Sequence, residues 1–181
     1  MPILLKSPED TMEFGAMLAQ AMLDSPLRTI YLFADLGGGK TTFTRGFAAA
    51  LPGGDQAEVA SPSFTLCNVY PTRPEVLHAD LYRLSENASL PEEMEEMLDE
   101  GDPFLILEWP QYLAPERRAA ERLDIYLDPV QGNDAKALDK TAESCQTFRL
   151  ATLKAHGNAA DALLRNLEPR LERRFAPADK A

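Results

Sequence analysis

Ala34-Asp35-Leu36-Gly37-Gly38-Gly39-Lys40-Thr41 is the stretch on which the reading of this chain turns. The residues before it, Thr29-Ile-Tyr-Leu-Phe-Ala34, are β-branched and aromatic and too few for a helix, so they read as a buried strand running into a tight turn. After it, Phe43, Phe47 and Leu51 recur every four residues, which gives a helix from Lys40 to Leu51 that stops at Pro52-Gly53-Gly54. A polyphosphate requires a concave array of backbone N–H donors that side chains would obstruct, and the glycines leave that array open. The helix beyond aims its first amides and the positive end of its dipole at the same point. In this pattern Lys40 reaches the β- and γ-phosphates and the Thr41 hydroxyl goes to Mg²⁺. The expected ligands are therefore ATP and Mg²⁺, held by Asp35, Leu36, Gly37, Gly38, Gly39, Lys40, Thr41 and Thr42. The P-loop pattern has glycine at its first position; here that position is Ala34.

Working outward, Ser7-Pro8-Glu9-Asp10 opens a helix whose apolar face is Phe14, Met17, Leu18, Ala21 and Met22, ended by Ser25-Pro26. Strands are expected at Leu66–Tyr70, Val76–Leu81, Phe104–Glu108, Arg122–Leu127 and Thr147–Leu153. A polar loop is expected over 129–144. Leu163, Leu164, Leu167 and Leu171 mark a closing amphipathic helix over 157–175, opened by Asn158 and turning Arg165, Arg170, Arg173 and Arg174 outward. Strands alternate with helices early and then cluster. This predicts one α/β domain over 1–181, a P-loop NTPase-like three-layer fold with a mixed parallel and antiparallel sheet.

Phosphoryl transfer to water needs a metal on the phosphates, an acidic group to hold it and a group to orient the water. Glu108 ends the apolar strand Phe104–Leu107, and open α/β sheets gather ligands at the carboxyl ends of their strands. Asp80 ends Val76-Leu-His-Ala in the same way. Ser61-Pro-Ser-Phe-Thr65 follows the loop helix, where Thr65 is placed to meet Mg²⁺ and sense the γ-phosphate. Trp109, beside Glu108, reads as core, or as a contact with the nucleotide or a partner. His78 reads as structural. Arg83 reads equally as a charge-stabilising residue or as a partner for the acidic segment.

The chain has 181 residues with a net charge of −11, from 29 acidic and 18 basic residues. Unselective nucleic-acid binding draws on clustered Lys and Arg, so direct nonspecific contact with nucleic acid is not expected. Eight of the acidic residues lie between Glu86 and Asp102 with no basic residue among them, either a solvated helix face or a docking surface. No apolar run approaches the roughly 18 residues of a membrane span, and Met1–Pro8 lacks a signal-peptide pattern, so a cytoplasmic protein is expected. Cys67 and Cys145 are too few for a disulfide framework and read as buried thiols.

The ordered set Asp35-Leu-Gly-Gly-Gly-Lys-Thr-Thr42, Ser61-Pro-Ser-Phe-Thr65, His78-Ala-Asp-Leu-Tyr-Arg83 and Glu108-Trp-Pro110 resembles the TsaE family, across roughly Ser7 to Leu127. Members usually read Gly-Asp-Leu-Gly at the loop, so Ala34 departs here too. The resemblance implies a small bacterial ATPase required for threonylcarbamoyladenosine modification of tRNA. It implies hydrolysis that regulates or resets a TsaD–TsaB transferase pair; turnover is expected to be slow without those partners, because Asp80 alone offers to position the water. By position, Lys40, Thr41 and Thr42 would take phosphates and Mg²⁺, Thr65 and Glu108 would complete the metal site, Asp80 would assist hydrolysis, and Trp109 would face nucleotide or partner. The rival reading is a small-molecule kinase of the P-loop superfamily, which needs an arginine-bearing lid; the acidic segment Glu86–Asp102 stands where a lid would sit.

Overall fold

A computed structural model describes residues 2–84, 86–130 and 148–175 of the chain. Among these described residues seven strands form, β1 (Pro2–Leu5), β2 (Thr29–Phe33), β3 (Cys67–Tyr70), β4 (Val76–Asp80), β5 (Phe104–Glu108), β6 (Arg122–Pro129) and β7 (Arg149–His156). Among the described residues the α-helices are α1 (Pro8–Leu23), α2 (Lys40–Ala49), α3 (Glu92–Glu100) and α4 (Asn158–Arg174). All strands join one sheet in the order β1-β7-β6-β2-β5-β4-β3. The central strands β6, β2, β5 and β4 run parallel, while β7 and β3 pair antiparallel with β6 and β4, and β1 antiparallel with β7. The mixed three-layer α/β fold is as expected.

Strand parity sorts the core into two halves. Ile30, Leu32, Val76, Phe104, Ile106, Leu123 and Ile125 share one face and pack with Phe14, Leu18, Phe43, Phe47, Leu163, Leu167 and Leu171, so α1, α2 and α4 cover that side. Tyr31, Leu77, Ala79, Leu105 and Leu107 share the other face with Met94 of α3 and Leu113. The acidic segment therefore contributes a helix that buries Met94 and turns its carboxylates outward, on the side of the sheet opposite α2.

Local chemistry sets the helix ends. The Ser7 side chain accepts from the Asp10 amide at 3.1 Å and Asp10 Oδ2 accepts from the Lys6 amide at 2.8 Å, a reciprocal cap. At α4 the N-cap is Gly157 rather than Asn158. Glu121, from the approach to β6, places Oε1 and Oε2 each 2.9 Å from the Asn158 and Ala159 amides.

Several boundaries differ from expectation: β2 ends at Phe33, α2 at Ala49 and β4 at Asp80, each one or two residues early. β1 is a strand of only four residues, too short for a pattern to show. β6 runs on through Pro129, where a loop was expected to begin. β7 extends to His156, because it pairs with β6 along eight residues. β3 begins at Cys67, since Leu66 sits in the left-handed region at φ 65°. Residues 131–144 of the expected loop, and Cys145, lie outside the described residues.

Candidate functional site: a glycine-rich cleft at the ends of three strands

β2, β4 and β5 end side by side, and the chain turns from β2 into α2 across their carboxyl ends. Gly37 and Gly39 have φ of 73° and 99°, a region costly for residues with a Cβ. Between them, a Cβ on Gly38 would stand 2.6 Å from the Ala34 methyl and 2.9 Å from the Asp35 carbonyl oxygen. The glycines at 37 to 39 are thus required by the turn itself, and the Ala34 methyl is one reason position 38 has none. Arg149, at the start of β7, donates from Nε and Nη2 to the carbonyls of Gly38 and Gly37, each at 3.2 Å. Nothing in the local sequence pointed to this contact across 111 residues, which arises because β7 returns antiparallel to β6.

The cleft above the turn has a volume of about 220 Å³ and is walled by Leu36 to Thr42 on one side. Ser61, Ser63, Asp80, Glu108 and Trp109 complete it. Asp80 and Glu108 are aligned partners in the β4–β5 register and are 3% and 2% exposed. The Thr41 hydroxyl lies 3.5 Å from Glu108 Oε1, and the Lys40 ammonium 3.8 Å from Glu108 Oε2. Lys40 Nζ donates to the carbonyls of Ala34 at 2.9 Å and Asp35 at 3.1 Å, and sits 4.5 Å from the Trp109 ring centroid. Trp109 holds that place in a left-handed conformation, φ 56°, and packs on Tyr82.

Burial pushes the Lys40 ammonium below its ordinary pKa, against the opposing pull of Glu108, Asp80 and Asp35. Burial pushes the Asp80 carboxyl up, and the Glu108 charge adds to the rise; the Tyr82 amide, donating to Asp80 Oδ1 at 2.8 Å, works against it.

Three of the candidate residues stand apart. Asp35 contributes its carbonyl to the Lys40 and Gly38 contacts and does not line the cleft. Thr65 is exposed and gives its hydroxyl to Asn68 Oδ1 at 2.8 Å; Ser61 and Ser63 of the same segment face the cleft in its stead. Arg83 is exposed and lines no part of it. His78, read as structural, is fully buried and its Nε2 lies 2.8 Å from Glu108 Oε1. The pattern His78-Ala-Asp80 held the one signal for this: two residues apart on a strand means one face.

A model of threonylcarbamoyl adenosine biosynthesis protein TsaE matches residues 5–137. The chain belongs to the TsaE family. A TsaE of Aquifex aeolicus is 37% identical over 108 residues, 59% of this chain and 74% of that protein. A TsaE of Bacillus subtilis is 35% identical over 141 residues, 75% of this chain and 82% of that protein. The crystal structure of YdiB from Bacillus subtilis superposes with a TM-score of 0.64 at 26% identity, covering 94% of this chain and 95% of that one. The family's role is in tRNA threonylcarbamoyladenosine biosynthesis. Among the described residues of this TsaE-family chain, no helix is long and apolar enough to cross a membrane.

Proposed function

We propose that the chain is an ATP-binding, slowly hydrolysing accessory subunit of tRNA N6-threonylcarbamoyladenosine modification that regulates or resets a TsaD–TsaB transferase pair. The observation that carries this reading is the convergence of Lys40, Thr41, Asp80 and Glu108 on one glycine-walled cleft. The amides at the start of α2 would take the phosphates and Lys40 would neutralise them. The Thr41 hydroxyl and the Glu108 carboxylate are adjacent oxygen donors, the hard chemistry that Mg²⁺ prefers, so these two residues would hold it. Once bound, Mg²⁺ would supply charge neutralisation on the phosphate oxygens. Asp80, beside Glu108 with a raised affinity for a proton, would orient and deprotonate the attacking water.

Slow turnover is supported by the lining of the cleft, which among the described residues includes no arginine to stabilise transferring charge. A protein partner is supported by apolar residues exposed near the cleft, Leu36 at 68% and Phe64 at 88%, which a free surface gains nothing by showing. The net charge of −11 suits contact with proteins rather than with the tRNA backbone. The test is a pull-down with TsaD–TsaB under ATP, under ADP and without nucleotide, paired with steady-state hydrolysis. Association that requires ATP and turnover that rises with the pair are expected. Association indifferent to nucleotide, or rapid hydrolysis unaffected by the pair, would overturn the assignment.

A further inference from the structure

Tyr70 and His78 are buried on the cleft-bearing face of the sheet, and the chemistry above leaves both unused. In the β3–β4 register Asn68 faces His78 and Tyr70 faces Val76, so Tyr70 and His78 are diagonal neighbours on one face. The Tyr70 hydroxyl donates its single proton to the Ala60 carbonyl at 2.9 Å. Its oxygen then accepts from His78 Nδ1 at 3.1 Å. The other ring nitrogen, Nε2, lies 2.8 Å from Glu108 Oε1. The contacts form one continuous chain of polar groups from Ala60 to Glu108.

The far end of that chain is anchored as well. The Ala60 carbonyl accepts a second hydrogen bond from Asn68 Nδ2 at 3.2 Å, and Asn68 Oδ1 accepts from Thr65. Segment 60–65 is thereby tied to β3 at both ends, while Ser61 and Ser63 between them face the cleft opposite Glu108. A glutamate has three rotatable bonds. A ring that is itself held at both nitrogens fixes Oε1 and leaves Oε2 for the cleft.

We propose that Tyr70 and His78 are positioning residues linking segment 60–65 to Glu108, so that the placement of the hydroxyl-rich segment and the orientation of the carboxylate are set together. The proposal rests on the nucleotide reading of the cleft for its consequence, and on the hydrogen-bond chain alone for its existence.

Tyr70→Phe deletes one hydroxyl and keeps the ring. For the full chain, calorimetry with ADP in EDTA and with MgADP, single-turnover ATP hydrolysis and thermal melting are compared with wild type. Expected are metal-free ADP affinity within twofold, a Mg²⁺-dependent gain in affinity reduced at least threefold, and a single-turnover rate at saturating MgATP reduced at least fivefold. His78→Gln, which retains a donor toward Glu108, is expected to keep more of the Mg²⁺ gain than His78→Ala; equal losses would indicate a packing role and overturn the proposal. Separately, Glu108→Ala in nucleotide-free protein is expected to speed amide exchange of residues 60–65 at least threefold, and unchanged exchange there overturns the linkage whether or not nucleotide binds. Wild-type protein that fails to bind MgADP would instead sink the nucleotide reading, so the two failures are distinguishable.

Discussion

Asp80 stands opposite Glu108 where β4 and β5 end, and both carboxylates are buried on the side of the sheet that carries α2. Glu108 has His78 at 2.8 Å and Lys40 at 3.8 Å, whereas Asp80 has the Tyr82 amide. The arrangement gives the pair distinct parts: Glu108 is held by its neighbours, and burial raises the pull of Asp80 on a proton.

That difference sets a pH dependence. Because the folded pKa of Asp80 lies above the ordinary 3.8, the native state binds more protons than the unfolded chain between those two values. Stability therefore falls as pH rises through that window, and the cost persists in full above the folded pKa. Asp80→Asn keeps an acceptor for the Tyr82 amide and removes the charge. Its Tm should exceed wild type at pH 7, with the gap closing as pH falls to 3.8, while hydrolysis drops by about 10²-fold or more. Melting curves at several pH values check the first part; a variant less stable than wild type at pH 7 would refute it.

Lys40→Ala should lower MgADP affinity at least ~100-fold by calorimetry, the loss of a charge-assisted phosphate contact. The fold should not suffer, because burial already disfavours the ammonium at this position. Thermal melts should therefore show a Tm equal to wild type or higher.

Glu108→Gln retains a polar atom for His78 and removes the negative charge. Nucleotide affinity should stay within about fivefold while single-turnover hydrolysis falls by roughly 10²- to 10³-fold. Quenched-flow measurement separates binding from chemistry. Equal losses in both would mean that the carboxylate serves binding alone.

Glu121→Ala should cost about 1 kcal/mol by uncapping α4, a fall in Tm of roughly 3 °C. Nucleotide affinity should be unchanged, since the Glu121 contacts lie at the α4 end and not in the cleft.

The glycine-rich turn from β2 into α2 was legible because its elements are contiguous. Strand, glycines, lysine and helix start lie within about twenty residues, and amide direction there follows from local φ and ψ. The strand-end carboxylates were legible for a related reason: an apolar run that stops at Asp80 or Glu108 marks the edge of a sheet whatever its neighbours are. Neither inference requires strand order.

Strand order and parity decided the rest. His78 meets Glu108 because β4 and β5 are adjacent in one register, and Arg149 meets Gly37 and Gly38 because β7 runs back along β6. Ser61 and Ser63, rather than Thr65, face the cleft because Asn68 on β3 holds the Thr65 hydroxyl. Glu121 caps α4 from outside the helix for the same kind of reason. Local sequence carries the direction of a backbone amide or the end of an apolar run, but a contact between side chains tens of residues apart exists only once the sheet has chosen its neighbours and its faces.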